Sequence, residues 1–228
     1  MSSGQRGIDA AGFVPARISR VAPGLDAGEV HLWWFGYHRG QGRAPLRALL
    51  AAYLGVMPEA LSVTVDVHGR PHLAASCALD FNWSHSGEHA MVAVARELPE
   101  LGVDIEQRRE RPRVLALAQR FFAEGEHATL RQLPPVRRNE AFLRLWTAKE
   151  AVLKAHGRGL AYGLERVEFA LDDAGARPLR FHGEVGAAEQ WQCRPLAPAA
   201  ALVGALAWRG KPRRIRRFVP AGDDFAGT

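Results

Sequence analysis

Residues 81–106, FNWSHSGEHAMVAVARELPELGVDIE, carry the reading on which the fold turns. Segments 81–84, 90–95 and 101–106 are separated by short connections containing Gly87 and Pro99. Short segments bounded by turn residues predict three β-strands, and links this short predict an antiparallel meander. In the last segment, Gly102-Val103-Asp104-Ile105-Glu106, alternate side chains share a face. Asp104 and Glu106 then point one way, and Val103 and Ile105 the other. Two residues of strand rise set the acids ~6.6 Å apart at the backbone, so both carboxylates can reach one hard cation such as Mg²⁺. A solvated strand face explains two acids equally well, so the pair gains meaning only from its surroundings.

Working upstream, 31–37 (HLWWFGY) reads as a strand, and 43–54 (RAPLRALLAAYL) as an amphipathic helix. Residues 61–67 (LSVTVDV) alternate as a strand does, and Gly69-Arg70-Pro71 is a turn. Downstream, 113–122 and 124–133 read as helices, and Pro134-Pro135 interrupts the chain. A long helix follows over 137–156, with Gly157 placed to cap it. Strands are expected at 166–171, 179–183, 191–194 and 202–208. Each half of the chain thus runs strand, helix, three strands. The fold expected is α+β and pseudo-duplicated: two similar halves, 1–100 and 101–210, each a small, mostly antiparallel sheet packed on helices. Residues 1–28, rich in Gly, Ala and Ser, are expected to be poorly ordered at first. Residues 211–228 are read as a basic C-terminal tail, and the run RGKPRRIRR at 209–217 as a solvated segment.

Hydrophobic residues make up 47% of the 228 and charged residues 24%, which are globular proportions. No long apolar run suggests a membrane span or a signal peptide. The two cysteines, Cys77 and Cys193, lie far apart without CxxC spacing, which argues against a disulfide scaffold or zinc ribbon and for reduced thiols in a cytoplasmic protein. A net charge of +6 favours anionic partners. Arg108, Arg109, Arg111 and Arg113 cluster just after the two acids. No nucleic-acid-binding pattern accompanies the charge.

Two further segments bear on chemistry. In Trp146-Thr147-Ala148-Lys149-Glu150-Ala151-Val152-Leu153-Lys154, the spacing sets Trp146, Glu150 and Lys154 near one helical face. Glu150 there can complete a metal site or take a proton, and Lys154 can neutralise phosphate charge. A Glu–Lys helical pair beside a core tryptophan is the plainer account. In Phe81-Asn82-Trp83-Ser84-His85-Ser86-Gly87, a turn gathers donors suited to phosphate oxygens. No GxSxG frames a catalytic serine. The pairs His68/His72 and His85/His89 are not on a predicted helix, which weakens a zinc reading.

In this order, Asn82–Ser86, Gly102–Glu106 and Trp146–Lys154 resemble the 4′-phosphopantetheinyl transferase superfamily, whose pattern is N-x-S-H-S, G-x-D-x-E and W-x-x-K-E-x-x-x-K. Gly69-Arg70-Pro71, Arg120-Phe121-Phe122 and Gly157-Arg158-Gly159-Leu160 fit the same family, and the length resembles its larger, monomeric surfactin-synthetase type. The resemblance implies transfer of phosphopantetheine from coenzyme A to a serine of an acidic apo carrier protein. It implies Mg²⁺, or Mn²⁺, on Asp104, Glu106 and Glu150. Glu150 would act as base directly or through a water, and Lys154 would stabilise the transferring phosphate. Coenzyme A contacts are implied for Gly69, Arg70, Pro71, Ser84, His85, Lys149 and Lys154. Arg39 and Arg43 stand in for a basic stretch that is short here, at 36–42. The alternatives left open are a Mg²⁺-dependent phosphohydrolase and, given the short basic stretch, a family member that binds carriers but transfers nothing.

Overall fold

The computed structural model describes residues 12–222. In chain order the elements are β1 (Val14–Ala16), α1 (Ile18–Val21), β2 (Glu29–Gly36), α2 (Ala44–Leu54), β3 (Val63–Val65) and β4 (Pro71–Leu73). Then come β5 (Asp80–Ser86), β6 (His89–Ala95), β7 (Leu101–Gln107), α3 (Val114–Phe121), α4 (Glu124–Gln132) and α5 (Pro135–His156). The chain closes with β8 (Val167–Asp172), β9 (Gly175–Phe181), β10 (Trp191–Leu196), β11 (Leu202–Arg209) and β12 (Arg214–Pro220).

One sheet has five strands in the order β1-β12-β2-β6-β5, the other three in the order β10-β11-β7. Read from its first long strand, each half has the same topology. Strand β2 leads through α2 and the hairpin β3–β4 to β5 and β6, which lie β2-β6-β5 in the sheet. Strand β7 leads through α3–α5 and the hairpin β8–β9 to β10 and β11, which lie β7-β11-β10. Both three-strand units are antiparallel throughout. The α+β, duplicated reading of the sequence is therefore borne out in strand order.

Three expectations are corrected. Strands β5 and β6 form the antiparallel hairpin, but β7 does not extend it into a meander; it pairs with β11 in the other sheet. Residues 12–28 are not loose: Val14–Ala16 pairs in parallel with Phe218–Pro220. The expectation for residues 1–11 falls outside the described residues. Residues Arg214–Pro220 of the basic tail form strand β12, inserted between β1 and β2 and parallel to both. Its arginines are engaged. Arg214 and Arg216 lie 3.8 and 3.7 Å from the carboxylate of Glu29, and Arg216 stacks 5.3 Å over Phe218. Phe218 is buried against Trp33, 4.9 Å between ring centroids. Arginines at 214, 216 and 217 hid a strand that also carries Ile215, Phe218 and Val219.

Three apolar cores follow from this layering. One lies between α2 and one face of the larger sheet, around Trp33, Leu49, Leu50 and Val92. Another lies between α5 and the smaller sheet, around Phe142, Val152 and Leu153. The third joins the halves, with Leu32, Trp34 and Met91 packed among Val103, Ile105, Leu206 and Trp208. Pro135 at the first turn of α5 loses no helical hydrogen bond. Gly157, at φ 94°, ends the helix as a left-handed cap whose N–H bonds the carbonyl of Leu153. Gly102 lets α5 lie almost on β7: a Cβ there would come within 2.0 Å of the Ala151 carbonyl oxygen and 2.6 Å of the Ala155 nitrogen. Among the described residues no helix is long and apolar enough to cross a membrane.

Candidate active site

The close approach at Gly102 sets the side chains of α5 beside those of β7. Trp146, Glu150 and Lys154 line one open cleft of about 280 Å³ together with Asp104, Glu106, Trp83, Ser84 and His85. The helical spacing read from the sequence therefore holds, and so does the shared face of the two acids. Lys154 Nζ donates to Asp104 Oδ1 at 2.6 Å, to Ser84 Oγ at 3.0 Å and to the Val103 carbonyl at 3.3 Å. Asp104 is buried, and its Oδ2 has no hydrogen-bond partner. Glu106 Oε2 accepts from Ser86 Oγ at 2.9 Å and lies 3.3 Å from Arg111 Nη2.

Burial pushes the Glu150 carboxyl up to about 7, and the charges of Asp104 and Glu106 add to this; Lys154 opposes it. Asp104 Oδ2 lies buried and unpaired beside these carboxylates, and oxygen donors of this kind suit a hard dication. Among the described residues no three His, Cys, Asp or Glu side chains form a ready-made metal cage.

At the mouth of the cleft His85 is exposed, its ring 5.0 Å from that of Tyr37. Burial holds its pKa below the usual histidine range, helped by the nearby charges of Arg39 and Lys154. Arg39 and Arg43 are both exposed, in the turn between β2 and α2.

Other residues expected to touch coenzyme A have protein partners of their own. Ser84 spends its only proton on Asp104 Oδ1, at 2.8 Å, while its oxygen takes the Lys154 ammonium. A hydroxyl has one donor, so none remains for a phosphate. Arg70 lines a separate cleft with Pro71, and backbone carbonyls take up its terminal nitrogens. Its guanidinium donates to the carbonyls of Lys154, Ala155, Pro99 and Leu101, tying the β3–β4 hairpin to the C-terminal end of α5. Gly69, at φ 86°, makes the turn that presents it, and the cleft, of about 260 Å³, is also lined by Leu79, Phe81 and Pro99. Lys149 is completely buried on the other side of α5. It bonds Glu126 Oε2 at 2.6 Å and the carbonyls of Leu164 and Val167 at 2.9 and 2.6 Å.

Glu126 went unnoticed in the sequence. Its second oxygen accepts from the Phe169 N–H at 2.8 Å, so the pair fastens α4, α5 and β8 together. Among the arginines after β7, Arg108 pairs with Glu140 and Arg111 with Glu106, while Arg109 and Arg113 are exposed.

The sequence pattern of the 4′-phosphopantetheinyl transferase superfamily matches residues 100–203. The chain is 36% identical over 190 residues to the 4′-phosphopantetheinyl transferase HetI of Nostoc sp., a match covering 78% of this chain and 77% of that protein. It is 32% identical over 130 residues to a 4′-phosphopantetheinyl transferase of Bacillus subtilis, covering 57% of this chain and 56% of that one. A solved structure of the holo-[acyl-carrier-protein] synthase of Thermotoga maritima aligns with a TM-score of 0.40 and 24% identity, over 50% of this chain and 64% of that one.

Proposed function

Because the chain belongs to the 4′-phosphopantetheinyl transferase superfamily, we propose that the cleft between β5, β7 and α5 transfers phosphopantetheine from coenzyme A to a serine of an apo carrier protein. The observation that carries this reading is the meeting, on one cleft, of Asp104, Glu106 and Glu150 with Lys154. Asp104, Glu106 and Glu150 would hold Mg²⁺, which when bound supplies Lewis-acid neutralisation of the coenzyme A pyrophosphate.

The chain's own residues do the rest. The carrier serine oxygen forms a bond to the β-phosphorus of coenzyme A, and the bridging P–O bond breaks. The electron pair leaves with 3′,5′-ADP, and the serine proton goes to the Glu150 carboxylate. In the metal-free chain, burial and the charges of Asp104 and Glu106 push this carboxyl up to about 7, so it can carry a proton near neutral pH. The Lys154 ammonium offsets charge on the phosphates. His85, Arg39 and Arg43 bind the nucleotide phosphates at the mouth. Catalysis is mainly positioning and electrostatics. The carrier is acidic around its serine, to match the exposed arginines, and the enzyme works as a monomer.

Incubating the protein with Mg²⁺, coenzyme A and a panel of apo carriers should add ~340 Da to a carrier, the mass of the group this reaction class transfers. Release of phosphopantetheine with no carrier present would overturn the transferase reading in favour of a phosphohydrolase.

A further inference from the structure

Strand β5 is the edge of one sheet and β7 the edge of the other, and no backbone ladder joins them. Side chains join them instead. Asn82 Oδ1 accepts the Val103 N–H at 2.9 Å, Ser84 Oγ the Ile105 N–H at 3.4 Å, and Ser86 Oγ the Gln107 N–H at 3.1 Å. Each bond spans 21 residues, so the two strands run parallel and stay in step. Alternate side chains of β5 share a face, so every second residue reaches β7.

The step matters because the acids of β7 lie in the same register. While the Ser84 oxygen accepts from Ile105, its proton goes to Asp104 Oδ1 at 2.8 Å. While the Ser86 oxygen accepts from Gln107, its proton goes to Glu106 Oε2 at 2.9 Å. Each serine grips a backbone nitrogen and one oxygen of the neighbouring acid. The remaining grips fall on the same oxygens: Lys154 on Asp104 Oδ1 and Arg111 on Glu106 Oε2. Asp104 Oδ2 is left buried and unpaired.

We propose that Ser84 and Ser86 are positioning residues: their hydroxyls lock one oxygen of Asp104 and of Glu106 so that the other is offered to the cation. The half that contains β5 thereby aims the acids of the half that contains β7. This rests on the metal reading given under Proposed function. Partners of metal ligands commonly govern metal affinity by 10–100-fold.

Asn82 supplies the control, since it makes the same kind of seam bond and touches no acid. Mg²⁺ is titrated calorimetrically into the whole protein with coenzyme A present. Ser86→Ala should weaken Mg²⁺ binding about 10-fold or more. Ser86→Thr, which keeps the hydroxyl, should restore it. Asn82→Ala should lower Tm and leave the Mg²⁺ affinity within about twofold of the parent, because the seam bond it removes bears on no ligand. Where Ser86→Ala fails to fold, Ser86→Cys is read in its place, because a thiol is a weak donor of similar shape. Unchanged affinity in Ser86→Ala or Ser86→Cys, or equal loss in Asn82→Ala, would overturn the proposal and leave β5 a purely structural seam. Absence of Mg²⁺ binding by the unaltered protein would instead overturn the metal reading beneath it.

Discussion

Glu150 sits where burial, and then the charges of Asp104 and Glu106, push its carboxyl up to about 7, against the pull of Lys154. The folded chain therefore holds this proton more tightly than the unfolded chain, whose glutamate titrates near the ordinary 4.5. The resulting stabilisation is complete below about 4.5 and is lost as pH rises through about 7. Urea unfolding without metal should show stability falling between those two values, by a few kcal/mol at most. Glu150→Gln should flatten that slope; an unchanged slope would assign it to other groups. Asp104 allows a second test. The sequence alone left a solvated strand face open for this acid, but Asp104 is buried and takes the Lys154 ammonium. Asp104→Asn should lower turnover on the order of 10²–10³-fold, the scale of losing one preorganised electrostatic group. It should also cost about 1.5–3 kcal/mol of stability, the worth of a hydrogen bond to a charge. Full turnover together with an unchanged Tm would make Asp104 a bystander.

Helix α5 presents two charged faces with separate duties. Successive residues turn by ~100°, so Lys149 projects well away from Glu150 and Lys154. That arithmetic was available from the sequence, yet the motif grouped Lys149 with the coenzyme A ligands. The structure assigns it to Glu126, with burial lowering the lysine's pKa and raising that of the glutamate. Removing one member of a buried pair strands the other charge, so Lys149→Met should cost about 3–5 kcal/mol. Adding Glu126→Leu should recover much of that loss, since apolar replacement of a whole buried pair is often neutral. In folded double variants the KM for coenzyme A should not move. A raised KM with unchanged Tm would return Lys149 to the ligand site. Gly102 belongs to the same scale. Its missing Cβ sets the distance between α5 and β7, and so lets Glu150 and Lys154 reach Asp104.

Across the whole molecule, β12 carries the chain's end back into the first half's sheet and covers the outer edge of β2. A deletion beginning at Arg213 should expose that edge and uncover Phe218's neighbours Trp33 and His31. Exposed strand edges and apolar rings promote association, so the shortened chain should melt earlier and elute as larger species in size-exclusion chromatography. A monomer with unchanged Tm would restore the picture of a solvated tail. The arginines beyond β7 divide by their partners. Arg111 pairs with Glu106, so reversing its charge would disturb the site itself. Arg109 and Arg113 are exposed, and they offer the cleaner test of carrier steering. Their double reversal to Glu should raise KM for the carrier but not for coenzyme A. The effect should fade as salt shortens the screening length below about 8 Å. An unchanged carrier KM at low salt would make them an ordinary solvated face.

The sequence by itself determined the central elements and the groups that line the cleft. Alternation placed Asp104 and Glu106 on one face of a strand, and helical spacing brought Trp146, Glu150 and Lys154 into line; both hold in the structure because both are local geometry. The order of elements was enough to read a duplicated α+β fold. Only the tertiary structure decided which strands become neighbours. Short links around Pro99 suggested that β7 would follow β6, but β7 pairs with β11, roughly a hundred residues later. Arg214–Pro220 looked like a tail because its charges are matched by Glu29, a residue far away in the chain. Likewise Ser84 and Arg70 looked like contacts for coenzyme A until their partners in Asp104 and the α5 carbonyls came into contact. A side chain's hydrogen-bonding capacity is written in its chemistry, but its partner is supplied by packing between distant segments, which no local pattern contains.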